Sequence, residues 1–550
     1  MNIALKEQAI SSCLHLLGEI NRDPTSSSYG CFDRRYWAWK LTDFPEATFQ
    51  RNLSGLSWYL HQLRDENQGQ FLVEVIKSGL KFTLKVQHPD GSFDQAYPHE
   101  HSFGATGFLL PDLINAFLEI RSECGELEIE SIAGGLRDAA DFLVRSSEQH
   151  SLISNHLAGA ALGLFKAGEL FQENRYFEKA RSTLSRILKS QSHEGWFPEY
   201  GGADPGYQTL CMHYLAQIYK LEPSAELKLA LERSLDFLKY FAHPDGTFGG
   251  EYGSRRTEIY YPGGIALMAD EFSDAAGLHD FMRTSIEAGN TVALADIDMG
   301  NTAPLLNSYI LAADQKILKR KISALPFQVN SQNKDFPKAG IAIRSRQNYF
   351  LLLGASNGGV LKIFDKQSGR LLLDDCGVFG VTKGGKKITT QSTQIKNLLQ
   401  TSDDKLECNS SFYPIKDSLP NPLNYLALRL LNLTLMRIGF LNELMKKLMV
   451  RLLVKNESNL NLSRTRKIAL SRQAVDVTDT FTNPGQVQLQ KLSQGFKFTS
   501  IHMASARYFT SSQATPSAAQ ILDHGGLNLK GLLKVSHHIS FTKDLSGTSK

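Results

Sequence analysis

The N-terminal part of the chain repeats one pattern, in which a helical stretch of apolar residues is followed by a short polar turn. Apolar positions recur at helical spacing in stretches such as Ala225–Phe241. The turn phrases between such stretches are His88-Pro89-Asp90-Gly91-Ser92-Phe93, Ser192-His193-Glu194-Gly195-Trp196-Phe197 and His243-Pro244-Asp245-Gly246-Thr247-Phe248. Their starts are separated by about two periods and one period of roughly fifty residues. The pattern therefore predicts repeated helical hairpins.

One copy of the repeat lacks the Asp-Gly turn, and another copy is degenerate. Ser151–His156 opens the apolar helix Leu157–Leu170 without that turn, and the degenerate early copy begins at Tyr29–Asp33. Helix starts at the repeat spacing are predicted near Thr106, Asn155, Gln208 and Tyr261. Paired helices bury their apolar faces only against neighbouring pairs, so we expect a solenoid or, if the array closes, an (α/α) toroid. All the turns would then lie at one end and form a cleft.

The hydrophobic pattern changes from helical spacing to short alternating runs after about residue 335. The runs include Gly340–Arg344, Tyr349–Leu353, Val360–Phe364, Leu371–Leu373, Lys467–Leu470 and Ala474–Asp479. Glycine-rich turns separate them, which is typical of a mostly antiparallel β-sandwich. The predicted fold is therefore multidomain α and β, with an (α/α) toroid of helical-hairpin repeats in residues 1–325 and an antiparallel β-sandwich in residues 335–550.

The segment Asn424–Lys455 interrupts the sandwich pattern. It is rich in Leu, Met and Ile, and Glu443 is its single acidic residue against six basic ones. A basic amphipathic helical hairpin that rests on a membrane surface fits this composition. The alternative is an insertion that packs on the sandwich with its basic face in water.

Composition and charge narrow the class of protein. The chain of 550 residues is 42% hydrophobic and 21% charged, which is ordinary for a folded protein in water. A net charge of +4 is too small to indicate nucleic-acid binding, but it is compatible with an anionic polysaccharide or oligosaccharide. The six cysteines are scattered, so neither a disulfide framework nor a zinc knuckle is expected.

The location is also predicted from sequence patterns. The first residues lack the basic and apolar regions of an export signal, and no window offers about 18 consecutive apolar residues. We therefore expect a cytoplasmic protein, with peripheral contact at the inner face of the membrane through residues 424–455.

Polar and aromatic residues concentrate in the loops that the repeat pattern places at the cleft, where function usually resides. These loops are Tyr97–His101, Asn155–His156, Glu199–Tyr207 and Glu251–Tyr261. His99 and His101 alternate in one loop, but no third ligand is recognisable nearby, so no metal and no cofactor are predicted.

Some of these residues carry a family resemblance. Asn155-His156 opens an Ala/Gly/Leu-rich helix, and about forty residues later Gly195-Trp196-Phe197-Pro198-Glu199 precedes Tyr207 at a helix start. This arrangement resembles polysaccharide lyases of the heparinase II/III type, as do the strand segments Leu462–Ile468 and Val475–Phe481. The resemblance implies an α/α toroid followed by an antiparallel β-sandwich.

One departure from that family concerns its catalytic tyrosine. The family usually has a shorter spacing from the glutamate to the tyrosine, and a histidine directly after the tyrosine. Here Gln208 follows Tyr207, and His213 comes later on the same predicted helix. Whether Tyr207 is the counterpart of the family's tyrosine therefore stays open.

The same residues suit the removal of a proton from C5 of a uronic acid. The carboxylate next to C5 must be neutralised, and Asn155 with Arg255 or Arg256 offers the donors for this. His156 and Tyr207 are the candidate base and acid, with the tyrosine as proton donor because its phenol stays protonated at neutral pH. Further substrate contacts are predicted from Glu199, Tyr200, Glu251, Tyr252, Arg255, Arg256, Tyr260, His99 and His101.

Several alternatives remain at this stage. Expulsion of the 4-oxygen gives β-elimination, whereas reprotonation of C5 gives epimerisation, and an intracellular enzyme of either kind would act in polysaccharide biosynthesis. Asn155 also suits a helix N-cap, and the tyrosines also suit packing. Other candidate classes are a non-catalytic polysaccharide-binding or assembly protein and a glycoside hydrolase that uses Glu199 and Glu251. A terpene-cyclase-like toroid is a further candidate, although the nearest acidic segment, Ala295–Met299, lacks the paired acids of that class.

Overall fold

The computed structural model describes residues 3–147, 153–316, 322–392, 399–415, 421–437, 441, 444–445, 460–495 and 520–541. The helices of the N-terminal part are α1 Ile3–Glu19, α2 Arg34–Trp37, α3 Asn52–Leu60, α4 Glu66–Lys85, α5 Phe103–Ile120, α6 Glu126–Arg145, α7 Ser154–Phe171, α8 Asn174–Ser190, α9 Pro205–Leu221, α10 Ala225–Leu238, α11 Pro262–Met268, α12 Ser273–Glu287 and α13 Met299–Ala313. Helices α5, α7, α9 and α11 begin within a few residues of the predicted starts.

The helices form two concentric rings, and the inner ring closes. Inner helices α3, α5, α7, α9, α11 and α13 pack in sequence, and α13 also packs against α3. A side chain at Gly55 of α3 would meet Leu306 of α13, so the two helices approach closely at the closure. Trp58 Nε1 also donates to Asp314 Oδ2 at 3.1 Å beside it. The predicted array is therefore a toroid rather than an open solenoid.

The polar turns pack in the same way in successive repeats, which explains their glycines. Gly91 has a φ of +87°, and a Cβ there would lie 2.0 Å from the carbonyl oxygen of Asp138 on outer helix α6. Only glycine combines that backbone conformation with so close an approach. Gly30 and Gly195 have positive φ values and meet a backbone carbonyl oxygen of α4 and of α10 in the same way, whereas Gly246, also with positive φ, meets the side chain of Ser285 on α12. The degenerate copy predicted at Tyr29–Asp33 is thus a structural repeat.

Two antiparallel sheets follow the toroid, which confirms the predicted sandwich. The first has the order β1 Gln332–Phe336, β2 Ile341–Ser345, β3 Tyr349–Gly354, β4 Val360–Asp365 and β5 Leu371–Asp375. The second contains β6 Val378–Thr382, β7 Lys387–Thr389, β8 Leu399–Thr401, β9 Lys405–Pro414, β10 Leu460–Leu470, β11 Ala474–Thr482, β12 Leu489–Gln494, β13 Gln520–Ile521 and β14 Leu532–Ser540, with the short helix Gly525–Lys530 before β14.

The first sheet is buried on both faces because it lies between the toroid and the second sheet. Phe350 and Leu352 of β3 belong to the apolar core of the toroid. Leu351 and Leu353, which point to the opposite face, pack with residues of β9, β10 and β11. This burial explains why β3 is a continuous apolar run in the sequence rather than an alternating one. The toroid and the sandwich therefore share one continuous core.

A buried ionic cluster joins the two sheets of the sandwich. Arg466 of β10 donates to Asp479 of β11 at 2.8 Å through Nε and also pairs with Asp375 of β5. All three side chains are almost completely buried. Buried charges of this kind are tolerated only when they are paired, so the cluster ties β5 to the opposite sheet.

The predicted basic insertion is described in part. Its first portion forms helix α14, Pro422–Leu433, whereas residues 438–440, 442–443 and 446–459 lie outside the described residues. Arg429 of α14 pairs with Asp43 of the toroid at 2.7 Å. Across the described part of the chain, one helical segment, Phe103–Glu123, which is α5 with the turn after it, is long and apolar enough to cross a membrane by composition, and 72% of its most apolar 18-residue window is buried inside the protein.

The geometry of Gly91 gives a stability prediction. We expect Gly91→Ala to lower the free energy of unfolding by about 2 kcal/mol or more, since it adds backbone strain and a clash with the carbonyl of Asp138. Gly134→Ala is the matched control because Gly134 lies within α6 and has open space around it. That control should leave the melting temperature unchanged or raise it slightly. Equal melting temperatures of the two variants in calorimetry would contradict this account of the turn.

Candidate active site at the junction of toroid and sandwich

The inner helices α5, α7, α9 and α11 begin next to one another at one end of the toroid. Ser154, the first residue of α7, donates through Oγ to the carbonyl oxygen of Pro198 at 2.9 Å. Asp204 caps α9 by accepting from the backbone N–H of Tyr207 at 3.0 Å. The backbone N–H of Tyr261, just before α11, donates to Thr209 of α9 at 3.0 Å. Several helix N-termini, each with a partial positive charge, thus meet at this end.

Asn155 and Glu199 form a buried pair at the centre of this end. The amide of Asn155 donates to the Glu199 carboxylate, and both side chains are buried. Ser254 Oγ donates to the backbone carbonyl oxygen of Glu199 at 2.8 Å, so the loop before α11 contacts the same residue. The structure therefore brings the predicted residues Asn155 and Glu199 together, with the Asn155 amide directed to Glu199.

Arg255 lies against two of the predicted tyrosines. Its guanidinium carbon is 4.4 Å from the ring centroid of Tyr200 and 4.6 Å from that of Tyr207, which are cation–π distances. Its backbone N–H donates to Asp204 Oδ2 at 2.8 Å, so the capping residue of α9 also fixes the Arg255 loop. Tyr200 has a φ of +51°, an uncommon backbone conformation for a non-glycine residue. The arrangement holds a cation beside two phenol rings.

His156 lies at the start of α7, in contact with α5. Its ring packs edge-on against Phe108, with centroids 5.1 Å apart. A side chain at Gly104 would meet the His156 ring, so the first turn of α5 approaches the imidazole closely. Phe108 also stacks on Tyr214 of α9 at 5.8 Å. Phe108 therefore connects His156 of α7 to Tyr214 of α9.

Exposure divides this cluster into two groups. His156, Tyr200, Tyr207 and Arg255 are partly exposed, whereas Asn155, Glu199 and Asp204 are buried behind them. The partly exposed groups comprise an imidazole, two phenols and a guanidinium, which is a set able to exchange protons and to bind an anion. The buried groups hold the loops that carry them.

The sequence interpretation missed a charged network behind this cluster. Arg51 donates to Asp112 at 2.8 Å and to the hydroxyl of Tyr214 at 2.9 Å, which joins α5 and α9 to the residue before α3. Asp112 is the one acidic residue in the largely apolar stretch from Phe103 to Leu118. A lone charge in such a helix needs a buried partner, and this signal was present in the sequence.

Two predicted residues of the 251–261 loop face the sandwich instead. The ammonium of Lys362 on β4 lies 3.0 Å from Glu251 and 3.1 Å from Asp374, and all three side chains are largely buried. Arg256 donates through Nη2 to the backbone carbonyl oxygen of Gln391 at 2.8 Å. Of the two arginines predicted to bind a carboxylate, Arg255 thus lies with the tyrosines, whereas Arg256 lies at the domain junction.

The other predicted residues lie away from this cluster or behind it. Tyr252 is 1% exposed and its hydroxyl lies 2.8 Å from His243 Nε2, and Tyr260 is also 1% exposed and packs on Phe248. The structure gives both tyrosines packing roles. His99 and His101 lie in the loop before α5, where they meet His88 rather than the residues of α7 and α9.

The glycoside hydrolase alternative requires two carboxylates that face one another across a sugar. Glu199 is buried and accepts from Asn155. Glu251 is buried against Lys362. Because each carboxylate is held in the protein interior, this geometry does not favour a hydrolase pair.

The closed double ring of helices and the two packed antiparallel sheets give this chain the fold of α/α-toroid polysaccharide lyases. Part of the chain is also similar in sequence, since residues 60–265 match the family model of the Ulvan lyase N-terminal domain. That range includes Asn155, Glu199, Tyr207 and Arg255. Among curated proteins, none is similar enough in sequence to count as a relative.

Solved structures with a similar fold include three polysaccharide lyases. Xanthan lyase from Paenibacillus superposes with a TM-score of 0.55 at 10% identity, over 89% of this chain and 46% of that one. Chondroitin AC lyase from Streptomyces coelicolor, solved with chondroitin sulphate, has a TM-score of 0.54 at 12% identity, over 90% of this chain and 67% of that one. Heparinase III has a TM-score of 0.52 at 11% identity, over 89% and 72%. This chain spans about half the length of the xanthan lyase. The predicted resemblance is confirmed for the fold.

A buried histidine of α9 gives a pH prediction. Burial, with the nearby charges of Arg51 and Lys166, lowers the pKa of His213 to about 3. The unfolded chain binds a proton at this residue below about pH 6.5, so stability falls as the pH decreases from there towards 3. When the pH is lowered from 7 to 5, we expect the free energy of unfolding of His213→Gln to fall by about 2 kcal/mol less than that of the wild type.

The measurement is the melting temperature of both proteins across that pH range. The exposed residue His193 supplies the control variant His193→Gln, which should keep the wild-type pH dependence. If His213→Gln has the same acid sensitivity as the wild type, His213 does not control it.

Proposed function

We propose that this protein is a polysaccharide lyase that cleaves uronic-acid-containing polymers by β-elimination. One observation carries the proposal: the Arg255 guanidinium lies against the phenol rings of Tyr200 and Tyr207, at the end of the toroid where α7 begins with Asn155 and the partly exposed His156. The match of residues 60–265 to an ulvan lyase domain and the lyase folds of the structural neighbours support the same reaction class.

Arg255 is the proposed partner of the substrate carboxylate. A uronate must lose the charge of its carboxylate, or have it balanced, before C5 releases a proton. Burial opposes the charge of Arg255, but Tyr207 and Glu199 raise the pKa of the guanidinium overall, so it stays cationic. The amide of Asn155 donates to the carboxylate of Glu199. We therefore assign Asn155 the role of positioning the Glu199 carboxylate beside Arg255.

His156 and Tyr207 are the proposed proton carriers. His156 accepts the C5 proton, and the electron pair of the C5–H bond forms the C4–C5 double bond as the C4–O4 bond breaks. Tyr207 donates its phenolic proton to the departing O4. Return of the proton from His156 to Tyr207 through solvent completes the cycle. Epimerisation uses the same first step, but C5 regains a proton on the opposite face and the chain stays intact.

The expected substrate class is an anionic polysaccharide. Arg255 and the N-termini of the inner helices favour a negatively charged ligand. Tyr200 and Tyr207 offer aromatic faces that contact sugar rings. Chondroitin AC lyase, which shares the fold, was solved with the anionic polymer chondroitin sulphate.

Replacement of Tyr207 tests the reaction directly. We expect Tyr207→Phe to lower kcat on a uronate polymer by about 10²-fold or more, because general acid catalysis contributes that much. Tyr219→Phe is the matched control, since Tyr219 lies on the same helix and its hydroxyl bonds Glu271. The measurement is the ultraviolet absorbance of the unsaturated product across ulvan, chondroitin, heparan, hyaluronan and xanthan.

The outcomes separate the alternatives. Equal rates for Tyr207→Phe and wild type would remove Tyr207 from the mechanism. Deuterium uptake at C5 in heavy water without cleavage would replace elimination by epimerisation. Retained polymer binding with neither signal across the panel would favour a non-catalytic binding protein.

The exposed face of α14 favours a second proposal, peripheral contact with an anionic membrane at the cytoplasmic face. Leu423, Leu426, Leu430 and Leu433 lie on one stripe of this helix, and each is more than half exposed. Trp39 and Leu41 are also exposed, shortly before Asp43, which pairs with Arg429 of α14. The charged residues of 424–455 are nearly all basic, as anionic lipid would require. Membrane association would suit a role in polysaccharide biosynthesis.

Vesicle binding tests this contact. We expect the wild type to sediment with vesicles of phosphatidylglycerol and phosphatidylcholine, and Leu426→Asp with Leu430→Asp to bind roughly tenfold more weakly or worse, since burial of each leucine is lost. Leu127→Asp is the control because Leu127 is 81% exposed on α6. Equal sedimentation of the double variant and the control would exclude α14 as the contact.

A further inference from the structure

Three histidines meet in the repeat that precedes α5. His88 comes from the polar turn after α4, and His99 and His101 come from the loop that leads to α5. The rings of His88 and His101 stack with centroids 4.2 Å apart, and the ring of His99 is 5.6 Å from that of His88. One ring nitrogen of each histidine lies within 4.8 Å of one from each of the others. Folding thus supplies the third imidazole that the spacing of His99 and His101 alone did not reveal.

Carboxylates orient two of these imidazoles. His101 Nδ1 lies 2.8 Å from Asp90 Oδ2 and 2.8 Å from Ser92 Oγ, which leaves Nε2 as its second ring nitrogen. His88 Nε2 lies 2.9 Å from Asp94 Oδ1, which leaves Nδ1. A carboxylate on one nitrogen of an imidazole is the usual second shell of a metal-binding histidine, because it fixes the ring and makes the other nitrogen more basic. His88 and His101 therefore each have a supporting carboxylate on one ring nitrogen.

The backbone of this loop is shaped to aim the side chains. His99 has a φ of +59° and His101 a φ of +51°, so two alternate residues occupy the left-handed region. Non-glycine residues adopt this conformation at a cost and mostly where the surroundings require it. Asp94 holds the loop through both backbones, since it accepts from the N–H of His99 at 2.7 Å and of His101 at 3.0 Å.

A histidine at this position of the turn does not by itself produce such a cluster. His243 occupies the place of His88 in the last turn phrase, but it is buried and lies 2.8 Å from both Thr247 Oγ1 and the Tyr252 hydroxyl. Glu251, Asp374 and Cys376 form another group of possible ligands. The Lys362 ammonium already pairs with both carboxylates of this group and balances their negative charge. Within the described residues, the His88 cluster is thus the group suited to a metal ion.

We propose that His88, His99 and His101 bind one divalent transition-metal ion of the zinc type, with a fourth position open to water or to an anionic oxygen. Three imidazoles suit Zn²⁺, and tetrahedral binding at about 2.0–2.1 Å needs nitrogen separations of about 3.3 Å. Binding would require the stacked His88 and His101 rings to turn apart, so that one nitrogen of each points to a common centre. His88 and His101 are 16% and 27% exposed, so an ion reaches the site from solvent.

The site would stabilise the loop that leads to α5. Ser102 follows His101 directly and caps α5, and Gly104 in the first turn of α5 abuts the His156 ring. A bound ion would therefore fix the start of the helix that packs on a proposed proton carrier. The inference goes beyond the lyase proposal, because metal binding at this site does not depend on whether the protein is a lyase.

Metal titration of the full chain tests the site. After removal of metal with a chelator, we expect one equivalent of Zn²⁺ to bind in calorimetry and one equivalent of Co²⁺ to give the visible absorption of a four-coordinate ion. His99→Asn and His101→Asn should abolish both signals, and asparagine tolerates the left-handed backbone at these positions. Asp90→Asn should weaken Zn²⁺ binding by about 10–100-fold, since it removes a supporting carboxylate.

The control is His193→Asn, which alters an exposed histidine in the equivalent turn of a later repeat and should bind metal like the wild type. Circular dichroism and the metal-free melting temperature establish that each variant folds. The proposal is overturned if the wild type binds no stoichiometric metal, or if folded His99→Asn and His101→Asn variants keep it. An intense thiolate-to-cobalt band would assign the metal to a cysteine and would equally overturn it.

Discussion

The buried ammonium of Lys362 is the constraint on which the arrangement of the site depends. It comes from the first sheet and pairs with Glu251 of the toroid at 3.0 Å, where removal of one partner of a buried pair costs about 3–5 kcal/mol. Asn357, in the turn between β3 and β4, also donates to the backbone carbonyl oxygen of Glu251 at 3.0 Å. The loop that carries Arg255 is thereby held between the two domains, and the cation is placed beside Tyr200 and Tyr207.

The first sheet, which carries Lys362, is rigid because it is buried on both faces. Alternate residues of β3 pack into the toroid and into the second sheet, so neither domain presents an independent surface at the junction. A catalytic group on a loop needs such support, because small displacements weaken proton transfer and carboxylate binding. The closed inner ring supplies the other half of the support by fixing the starts of α7 and α9.

Much of the fold was predictable because its signals are local and repeated. The turn glycines, the helical spacing and the change to alternating runs each depend on short segments, and the structure confirms the toroid and the sandwich that they predicted. The site was predictable only in part. The sequence pointed to Asn155, His156, Glu199, Tyr207 and Arg255, but it could not separate Arg255 from its neighbour Arg256, nor reveal that Tyr252 and Tyr260 are interior residues.

The sequence by itself determined the repeat, its period and the loops that carry polar residues, since each follows from side-chain pattern and turn chemistry over a few residues. Only the tertiary structure decided that the ring closes, that Arg51 pairs with Asp112, and that His88 meets His99 and His101. Those pairings join residues that are distant in the sequence, and burial and packing across neighbouring hairpins select them. Long-range contacts of this kind leave no spacing signal in a single chain.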